Sequence, residues 1–283
     1  MSRRLMLVLG AVLVAALALS LVPPTGQPAP AAAAAARNPK PVGVAGDWRL
    51  VFRDEFNGDR LNLSKWRPNW LAGSDRTITK PVNSAEIAAY APSQVSVANG
   101  KLRLRAERRT VTANDGRRYR YVSGLVESYH DYKFTHGYAE ARMYLPANTE
   151  RALGAVGSCG PNWAAFWLNG ESWPADGEID VMECLSDDDA AWHYHWGSES
   201  NPQQVGGYPD AWDGAMPGGG GWHTFGVNWQ RDSLTFYYDG KRVGRHTTGV
   251  TSSPHYLILN LGISEDEIKV PQTIKVGYVR VWK

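Results

Sequence analysis

The sequence predicts an all-β protein, either a sandwich or a barrel. From Asp47 onward, short runs of alternating apolar and polar residues are bounded by turn residues, and helical periodicity is almost absent. The dipeptides Asn99-Gly100 and Asp239-Gly240 stand between such runs and are strong signals for tight hairpin turns. The roughly 240 residues that follow an N-terminal leader suit one large sandwich. We therefore expect a single domain over residues 47–283.

The alternating runs define a series of expected strands and one long loop. The strands are Arg49–Asp54, Val95–Ala98, Lys101–Arg108, Gly124–Tyr129, Gly137–Tyr144, Ala164–Leu168, Glu178–Cys184, Ala191–Trp196, His223–Gln230, Ser233–Tyr238, Lys241–His246, Tyr256–Leu261 and Lys275–Trp282. The stretch Ser198–Gly221 is rich in Gly and Pro and predicts a surface loop beside a cleft.

The N-terminus is typical of an export signal. Arg3-Arg4 precedes an apolar run from Leu5 to Val22, and Ala29–Ala36 supplies small residues around a cleavage point. We expect residues 1–36 to be a signal peptide and residues 37–46 a linker, so that the protein is secreted and leaves the membrane. The 18-residue apolar run also leaves an uncleaved membrane anchor open.

The charge balance argues against a nucleic-acid partner. The formal net charge is +2, and residues 1–36 contribute two positive charges, so the remainder is neutral. Nucleic-acid binding requires a basic footprint, whereas a neutral polymer does not. The 12 Trp and 13 Tyr suit a protein that stacks planar rings against sugars. We expect a monomer that acts on a polysaccharide.

The chain has two cysteines, Cys159 and Cys184. In an exported protein a cysteine pair favours a disulfide. The two would lie near each other if Trp163–Leu168 and Glu178–Cys184 were neighbouring antiparallel strands. The alternative is two buried free thiols.

The most informative segment is Asp176-Gly177-Glu178-Ile179-Asp180-Val181-Met182-Glu183, in which three acids alternate with apolar strand formers. In a flat strand Glu178 and Asp180 share one face and Glu183 lies on the other. A single β-bulge between Asp180 and Glu183 would return Glu183 to their face, and bulges are frequent beside active sites. Three acids on one face of a bent strand suit two-carboxylate sugar chemistry. The alternative is a solvated acidic strand edge.

This motif and an ordered series of others resemble glycoside hydrolase family 16, the laminarinase, lichenase and agarase group. The segment Glu178–Glu183 matches the longer, bulged version of the family's signature. The supporting segments are Phe52-Arg53-Asp54-Glu55-Phe56-Asn57-Gly58, Trp66, Asn99-Gly100-Lys101-Leu102, Val122-Ser123-Gly124, Gly137-Tyr138-Ala139-Glu140-Ala141-Arg142, Leu145-Pro146, Ala165-Phe166-Trp167-Leu168, Trp173-Pro174-Ala175-Asp176-Gly177, Tyr238-Asp239-Gly240 and Tyr278-Val279-Arg280-Val281.

The resemblance implies a concanavalin-like β-jelly-roll sandwich of two curved antiparallel sheets, with a cleft on the concave face. It implies retaining hydrolysis in which Glu178 is the nucleophile and Glu183 is first the general acid and then the base. Asp180 would set the protonation states of its neighbours. No cofactor is implied. Family members often hold a structural calcium, but Gly277 stands where they carry an acidic residue, which disfavours this ion.

Three tryptophans are candidate sugar contacts. Trp167 and Trp173 resemble family positions that form the sugar-stacking floor. Trp163 lies four residues before Trp167 on the same expected strand face. The alternative for Trp163 and Trp167 is a core position, whereas Trp173 sits in a turn-like segment beside the acids.

Three polar residues complete the candidate substrate site. His195, followed by Trp196-Gly197, resembles a cleft histidine of the family better than His193 does. Asn83 and Glu86 resemble substrate-side positions of the loop before the first core strand. The alternatives are a structural histidine and a plain polar turn.

The leading interpretation is a secreted, endo-acting β-glucan hydrolase with β-1,3 or mixed β-1,3/1,4 preference. In many laminarinases the Asn-Leu pair of the late strand is followed by Gly-Gly-x-Trp. Here Asn260-Leu261 is followed by Gly262-Ile263-Ser264, so that element is absent. An agarase- or carrageenase-like galactan hydrolase or a transglycosylase therefore stays open. Outside this class, the alternatives are a non-catalytic carbohydrate-binding protein and a metal-dependent enzyme built on His193 and His195. The sequence shows no convincing third ligand for such a metal, and His223 stays open as one.

Overall fold

The computed structural model describes residues 38–146, 162–184, 190–207, 220–265 and 268–283. These residues form strands and turns, with one three-residue 3₁₀ turn, and no α-helix occurs in the described ranges. In chain order the strands are β1 (Leu50–Asp54), β2 (Ala88–Tyr90), β3 (Val95–Val97), β4 (Leu102–Thr112), β5 (Arg118–Ser123), β6 (Leu125–Glu127), β7 (Lys133–Phe134), β8 (Gly137–Leu145), β9 (Trp163–Asn169), β10 (Glu178–Cys184), β11 (Ala190–Ser198), β12 (Asn201–Gly207), β13 (Gly221–Gln230), β14 (Ser233–Tyr238), β15 (Lys241–His246), β16 (His255–Gly262) and β17 (Gln272–Trp282).

The strands form two sheets. The ten-stranded sheet has the order β15-β14-β13-β8-β17-β4-β5-β2, with β1 beside β17 and β3 beside β4. The seven-stranded sheet has the order β12-β11-β10-β9-β16-β6, with β7 beside β16. The pairs are antiparallel except for the parallel pair β2 and β5. The predicted all-β fold of two largely antiparallel sheets is confirmed.

Alternation with period two builds the core between the sheets. On β4, Leu102, Leu104 and Ala106 are buried in the core, whereas Arg103 and Arg105 are not. Strand β16 is buried along its whole length because both of its faces are covered. One face joins the main core, and the other joins a smaller cluster of Tyr90, Leu125, Ala165, Trp167, Tyr256 and Ile258. This second cluster supports the face that carries the candidate site.

The predicted turns and several strand bounds agree with the structure. Strands β10, β14 and β15 begin and end at the predicted residues. Asn99 and Gly100 have φ values of 54° and 67°, and Asp239 and Gly240 have 45° and 75°. Two successive positive φ angles are what a type I′ hairpin requires, which explains the Asn-Gly and Asp-Gly pairs.

The predicted loop Ser198–Gly221 is wrong for part of its length. Asn201–Gly207 forms β12, an edge strand paired with β11. The register is unbroken, from Trp192 opposite Gly207 to Ser198 opposite Asn201. Pro202 obscured this strand, yet an edge strand tolerates proline because one side of its backbone needs no ladder partner. Residues 208–219 lie outside the described residues. Strands β2, β5 and β7 were also missed.

Part of the predicted linker, from Asn38 onward, contacts the folded strands. Trp282 Nε1 donates a hydrogen bond to Pro39 O at 2.6 Å, and Val42 N donates to Glu140 Oε2 at 3.0 Å. This segment therefore packs on the ten-stranded sheet. The predicted signal peptide and Cys159 lie outside the described residues, so the leader and the disulfide stay predictions. Within the described ranges, no helix is long and apolar enough to cross a membrane.

Candidate active site

Strand β10 carries the three acids and contains the predicted bulge. Across β11, Asp180 lies opposite His193 and Glu183 lies opposite Ala191, so β10 has one extra residue between these pairs. The register against β9 shifts in the same segment. The bulge is confirmed, and it returns Glu183 to the face that Glu178 and Asp180 occupy.

The extra residue also explains how β10 stays anchored. The two consecutive residues of the bulged segment, Val181 and Met182, are both fully buried in the main core. Ile179 and Cys184 are buried in the same core. The apolar residues therefore hold the strand from inside, which leaves the acids directed to the other face.

The acids line a cavity of about 320 Å³. Its wall combines aromatic rings with carboxylates and amides, as a site that orients a polar ligand requires. The lining residues are Trp70, Val82, Asn83, Glu86, Trp163, Ala165, Trp167, Asn169, Trp173, Glu178, Asp180, Glu183 and Asn260. Every predicted site residue except His195 is among them.

Glu183 accepts a hydrogen bond at one carboxylate oxygen and has a close neighbour at the other. Trp163 Nε1 donates a hydrogen bond to Oε2 at 2.9 Å, and His193 Nδ1 lies 2.5 Å from Oε1. His193 fits because its ladder partner is Gly206, where a Cβ would lie 1.8 Å from the imidazole Cδ2. The missing side chain of Gly206 thus makes the recess that lets His193 reach Glu183.

Glu178 and Asp180 share a buried corner with His195. His195 Nε2 lies 3.3 Å from Asp180 Oδ2 and 3.9 Å from Glu178 Oε1. Burial raises the pKa of Glu178 well above its usual range, Asp180 and Glu183 raise it further by repulsion, and His195 opposes them. Burial and the charge of Glu183 likewise raise the pKa of Asp180. The cluster therefore retains protons above the ordinary carboxyl range.

Flat aromatic surfaces stand beside the acids. Trp70 stacks on Trp167 with ring centroids 5.6 Å apart and an interplanar angle of 27°. Trp167 is fixed in turn by a 2.9 Å hydrogen bond from its Nε1 to Asn260 Oδ1. Trp173 lines the cavity although its surface is 51% exposed. An exposed tryptophan with no packing role is the kind of surface that a sugar ring can cover.

Glu86 is a buried acid of the cavity wall. Burial raises its pKa to about 7, although hydrogen bonds from the Tyr90 hydroxyl and the Val82 backbone oppose that rise. Its Oε2 has no hydrogen-bond partner among the described residues. Asn83 lines the same wall, and its Oδ1 also accepts a 2.9 Å hydrogen bond from Ala85 N. Asn83 therefore combines the cavity position with the predicted polar turn.

Residues 83–264 match the sequence profile described as glycosyl hydrolases family 16. The chain belongs to this family. It is 26% identical over 280 residues to a glucan endo-1,3-β-glucosidase A1 of Niallia circulans, a match that covers 87% of this chain and 39% of that protein. The chain spans about two fifths to a half of the length of such curated relatives.

Solved structures share the fold. An endo-β-1,3-glucanase from Pyrococcus furiosus superposes with a TM-score of 0.68 at 23% identity, covering 86% of this chain and 98% of that chain. SCLam, described as a non-specific endo-β-1,3(4)-glucanase from the same family, superposes with a TM-score of 0.66 at 27% identity, covering 86% and 94%. The jelly-roll architecture that the resemblance implied is therefore confirmed.

His223 does not complete a metal site with His193 and His195. His223 Nδ1 lies 2.7 Å from Asp239 Oδ2, and its ring does not join His193 and His195. Among the described residues, one group has metal-ligand geometry: Glu178, Asp180 and His195, with ligand atoms within 4.8 Å of one another. Glu178 and Asp180 line the family 16 cavity, and His195 lies beside them.

The surroundings of Gly277 do not fit a calcium ion. A side chain at Gly277 would approach the Trp222 ring at 3.3 Å and the Arg142 guanidinium at 3.7 Å. The Arg142 guanidinium itself lies over the Trp222 ring, 4.5 Å from its centroid. A guanidinium at this distance repels a divalent cation, and calcium prefers oxygen ligands.

Sequence reasoning missed several residues of this family 16 cavity. His193 was ranked below His195, although His193 contacts Glu183. Trp70 and Asn260 carried no recognised signal, although both fix Trp167. The sequence did not separate the two histidines, because both share a strand face. The register decides: the bulge places Glu183 opposite Ala191, two residues from His193.

Proposed function

We propose that this chain is a retaining, endo-acting β-glycosidase that hydrolyses β-glucan. The observation that carries the proposal is the bulge in β10, which aligns Glu178 and Glu183 in one cavity while Trp163 and His193 hold Glu183. A retaining site needs two carboxyl groups close together on either side of the scissile bond. Glu178 and Glu183 are five residues apart, and two acids at this odd spacing share a strand face only if the strand is locally irregular.

In the first step, a Glu178 carboxylate oxygen attacks the anomeric carbon and forms a glycosyl ester. The bond from that carbon to the glycosidic oxygen breaks, and Glu183 gives its proton to the leaving oxygen. In the second step, Glu183 takes a proton from water, the water oxygen bonds to the anomeric carbon, and the ester bond to Glu178 breaks. Both carboxyl groups return to their starting states.

Asp180 and His195 adjust the charge of the nucleophile. Their atoms lie within 3.3 Å of each other and beside Glu178. A negative neighbour raises the pKa of Glu178 and a positive neighbour lowers it. The pair therefore holds Glu178 ready to ionise in a buried site without requiring a bound cofactor.

A β-1,3 or mixed β-1,3/1,4 glucan is the proposed substrate. The names of relatives that act on such glucans support this choice. The exposed ring of Trp173 and the partly exposed ring of Trp70 offer faces for sugar units of a polymer, whereas Trp167 is buried and supports Trp70. Secretion after removal of residues 1–36 and action as a monomer belong to the same proposal.

The substrate is tested by reducing-sugar release from laminarin, lichenan, xyloglucan, agarose and carrageenan. We expect release from laminarin or lichenan, and we expect Glu178→Gln to lower the rate by at least about 10³-fold because the nucleophile is lost. Circular dichroism would check that the variant is folded. Full activity in Glu178→Gln contradicts the assignment, and release from no polymer favours a non-catalytic carbohydrate-binding protein.

The separate roles of the two glutamates are tested with an aryl glucoside whose leaving group needs no proton. Glu183→Gln should lose about 10²–10⁴-fold on polymer but much less on this substrate. Added azide should then yield a β-glucosyl azide, because retention preserves the configuration. An α-configured azide product would exclude the double displacement.

A further inference from the structure

The β4–β5 hairpin concentrates positive charge in an otherwise balanced chain. Between residues 105 and 120 the sequence contains six arginines, two acids and no lysine. This gives a formal net charge of +4 in sixteen residues, against +2 for the entire chain. All six arginines are exposed: Arg105, Arg108, Arg109, Arg117, Arg118 and Arg120.

The two acids of the hairpin do not neutralise it. Glu107 is shared between Arg105 at 3.3 Å and Arg109 at 2.8 Å. Asp115 accepts hydrogen bonds from its own turn, including one from the Tyr119 hydroxyl at 2.7 Å. In the part of the chain that the structure describes, no ion pair or hydrogen bond engages the side chains of Arg108, Arg118 and Arg120.

The strand register brings like charges together. Arg108 pairs with Tyr121 and Val111 pairs with Tyr119, so Arg109 and Thr110 bulge opposite Arg120. Like charges across paired strands destabilise a sheet. Charged side chains protect strand edges from aggregation, but mixed signs would protect equally well without repulsion. The uniform sign therefore indicates an external anion.

The hairpin extends past the strands that flank it, and its tip is hydrogen-bonded to the segment that leads to the cavity wall. Strand β17 pairs with β4 only as far as Ala106, and β2 pairs with β5 only from Tyr121 onward. At the tip, Asn114 N donates to Ile78 O at 2.9 Å, and Lys80 N donates to Asn114 Oδ1 at 3.0 Å. The cavity-lining residues Val82 and Asn83 follow directly in the chain.

We propose that this hairpin, residues 105–120, binds an anionic polysaccharide through its sulfate or carboxylate groups. Guanidinium groups match both anions with two parallel hydrogen bonds, which explains why arginine occurs here and lysine does not. The site lies outside the catalytic cavity and holds a segment of glycan beyond it. The choice of a polysaccharide over other polyanions rests on the proposed function.

The test compares binding by the full chain and by two matched variants. R108Q/R118Q/R120Q removes the three unpaired charges, and R242Q/R245Q removes two exposed arginines from β15 at the other end of the same sheet order. Titration calorimetry measures affinity for dextran sulfate, polygalacturonate and uncharged dextran. We expect the first two to bind, with affinity falling as salt rises.

The hairpin variant should bind the charged polymer about tenfold more weakly, because three exposed ion pairs are lost. The β15 variant should bind normally, and both variants should release sugar from neutral laminarin at the rate of the unchanged protein. Comparison of dextran sulfate with polygalacturonate identifies which anion is preferred. The melting temperature of the hairpin variant should be unchanged or higher, since repulsion is removed.

Three results would overturn the proposal: no binding of either anionic polymer, equal losses in the two variants, or equal affinity for double-stranded DNA and anionic lipid vesicles. These results do not depend on catalysis, because binding is measured without turnover. A chain that cleaves no glucan but binds dextran sulfate through the hairpin would contradict the proposed hydrolase activity alone.

Discussion

Glu183 is the single residue whose surroundings most constrain the chemistry of the cavity. One of its oxygens accepts a hydrogen bond from Trp163, and the other lies against His193. In its proposed role as general acid, Glu183 would keep its orientation through these contacts without losing freedom during the reaction. Trp163 is therefore more than a core residue or a stacking surface.

We predict that Trp163→Phe lowers kcat by about 10–100-fold with little change in KM, because it removes a hydrogen bond to a charged group and keeps the ring. Steady-state kinetics on laminarin would measure the change. Trp167→Phe is the matched control, because Trp167 lies on the same strand as Trp163 and the substitution removes its hydrogen bond to Asn260. Equal effects on kcat in the two variants would contradict a specific role for Trp163.

Asp180 offers a pH test of the nucleophile. Because its negative charge raises the pKa of Glu178, Asp180→Asn should lower that pKa. Glu178 acts as the ionised form, so the acidic limb of the profile of kcat/KM should move to lower pH. A limb that stays in place, or moves to higher pH, would show that Asp180 does not raise the pKa of the nucleophile.

The shared face of the three acids was predictable from the sequence because they lie within one short strand. Period two places Glu178 and Asp180 together, and one bulge adds Glu183. The preference for His195 over His193 could not be corrected without the register. Both histidines share a strand face, and only the bulge decides that His193 meets Glu183 while His195 meets Asp180.

At the scale of elements, the edge strand β12 lies beside β11 in the sheet and supports the candidate active site through it. Gly206 provides the space into which the His193 ring fits. Its conformation needs no positive φ, so the reason for glycine here is the close approach of a side chain.

We predict that Gly206→Ala displaces His193 and lowers kcat by about tenfold or more, because small displacements of catalytic partners have large effects on rate. Kinetics and a thermal melt would measure activity and folding separately. Gly207→Ala is the control, since its Cβ would meet Trp192 no closer than 3.3 Å. A normal rate in Gly206→Ala would mean that His193 does not assist Glu183.

Of the four strands that escaped prediction, β12 and β5 did so for different physical reasons. The Pro and Gly of β12 are typical of loops, and only pairing with β11 makes an edge strand of them. Strand β5 alternates exposed Arg with Tyr instead of aliphatic residues, and its tyrosines are only partly buried, Tyr121 against the main core and Tyr119 against a smaller cluster. Strands with a clear apolar face, such as β14, were predicted correctly.

At the scale of the whole molecule, buried carboxyl groups link folding to pH. Burial raises the pKa of Glu86 and of Glu127 to about 7 from 4.5. Both are protonated in the folded and unfolded states below about pH 4.5. As the pH rises toward 7, the unfolded state loses these protons first, so the free energy of unfolding falls.

We predict that Glu127→Gln reduces this fall by about 3 kcal/mol, an order-of-magnitude value from the shift in pKa. Urea unfolding at several pH values between 5 and 8 would measure it. His255 acts in the opposite direction, because burial lowers its pKa to about 4 and stability is lost as the pH falls below 6.5. An unchanged pH dependence in Glu127→Gln would contradict the prediction.

The sequence by itself determined the all-β class, the two hairpin turns and the presence of three acids on one face of a bulged strand. These features depend on local periodicity and on turn chemistry, which a short window of residues contains. The tertiary structure alone decided which distant side chains meet those acids. Trp70, Asn260 and Gly206 lie on segments far apart in the chain. Only the stacking and pairing of the strands brings Trp70 and Asn260 to the cavity and Gly206 to His193.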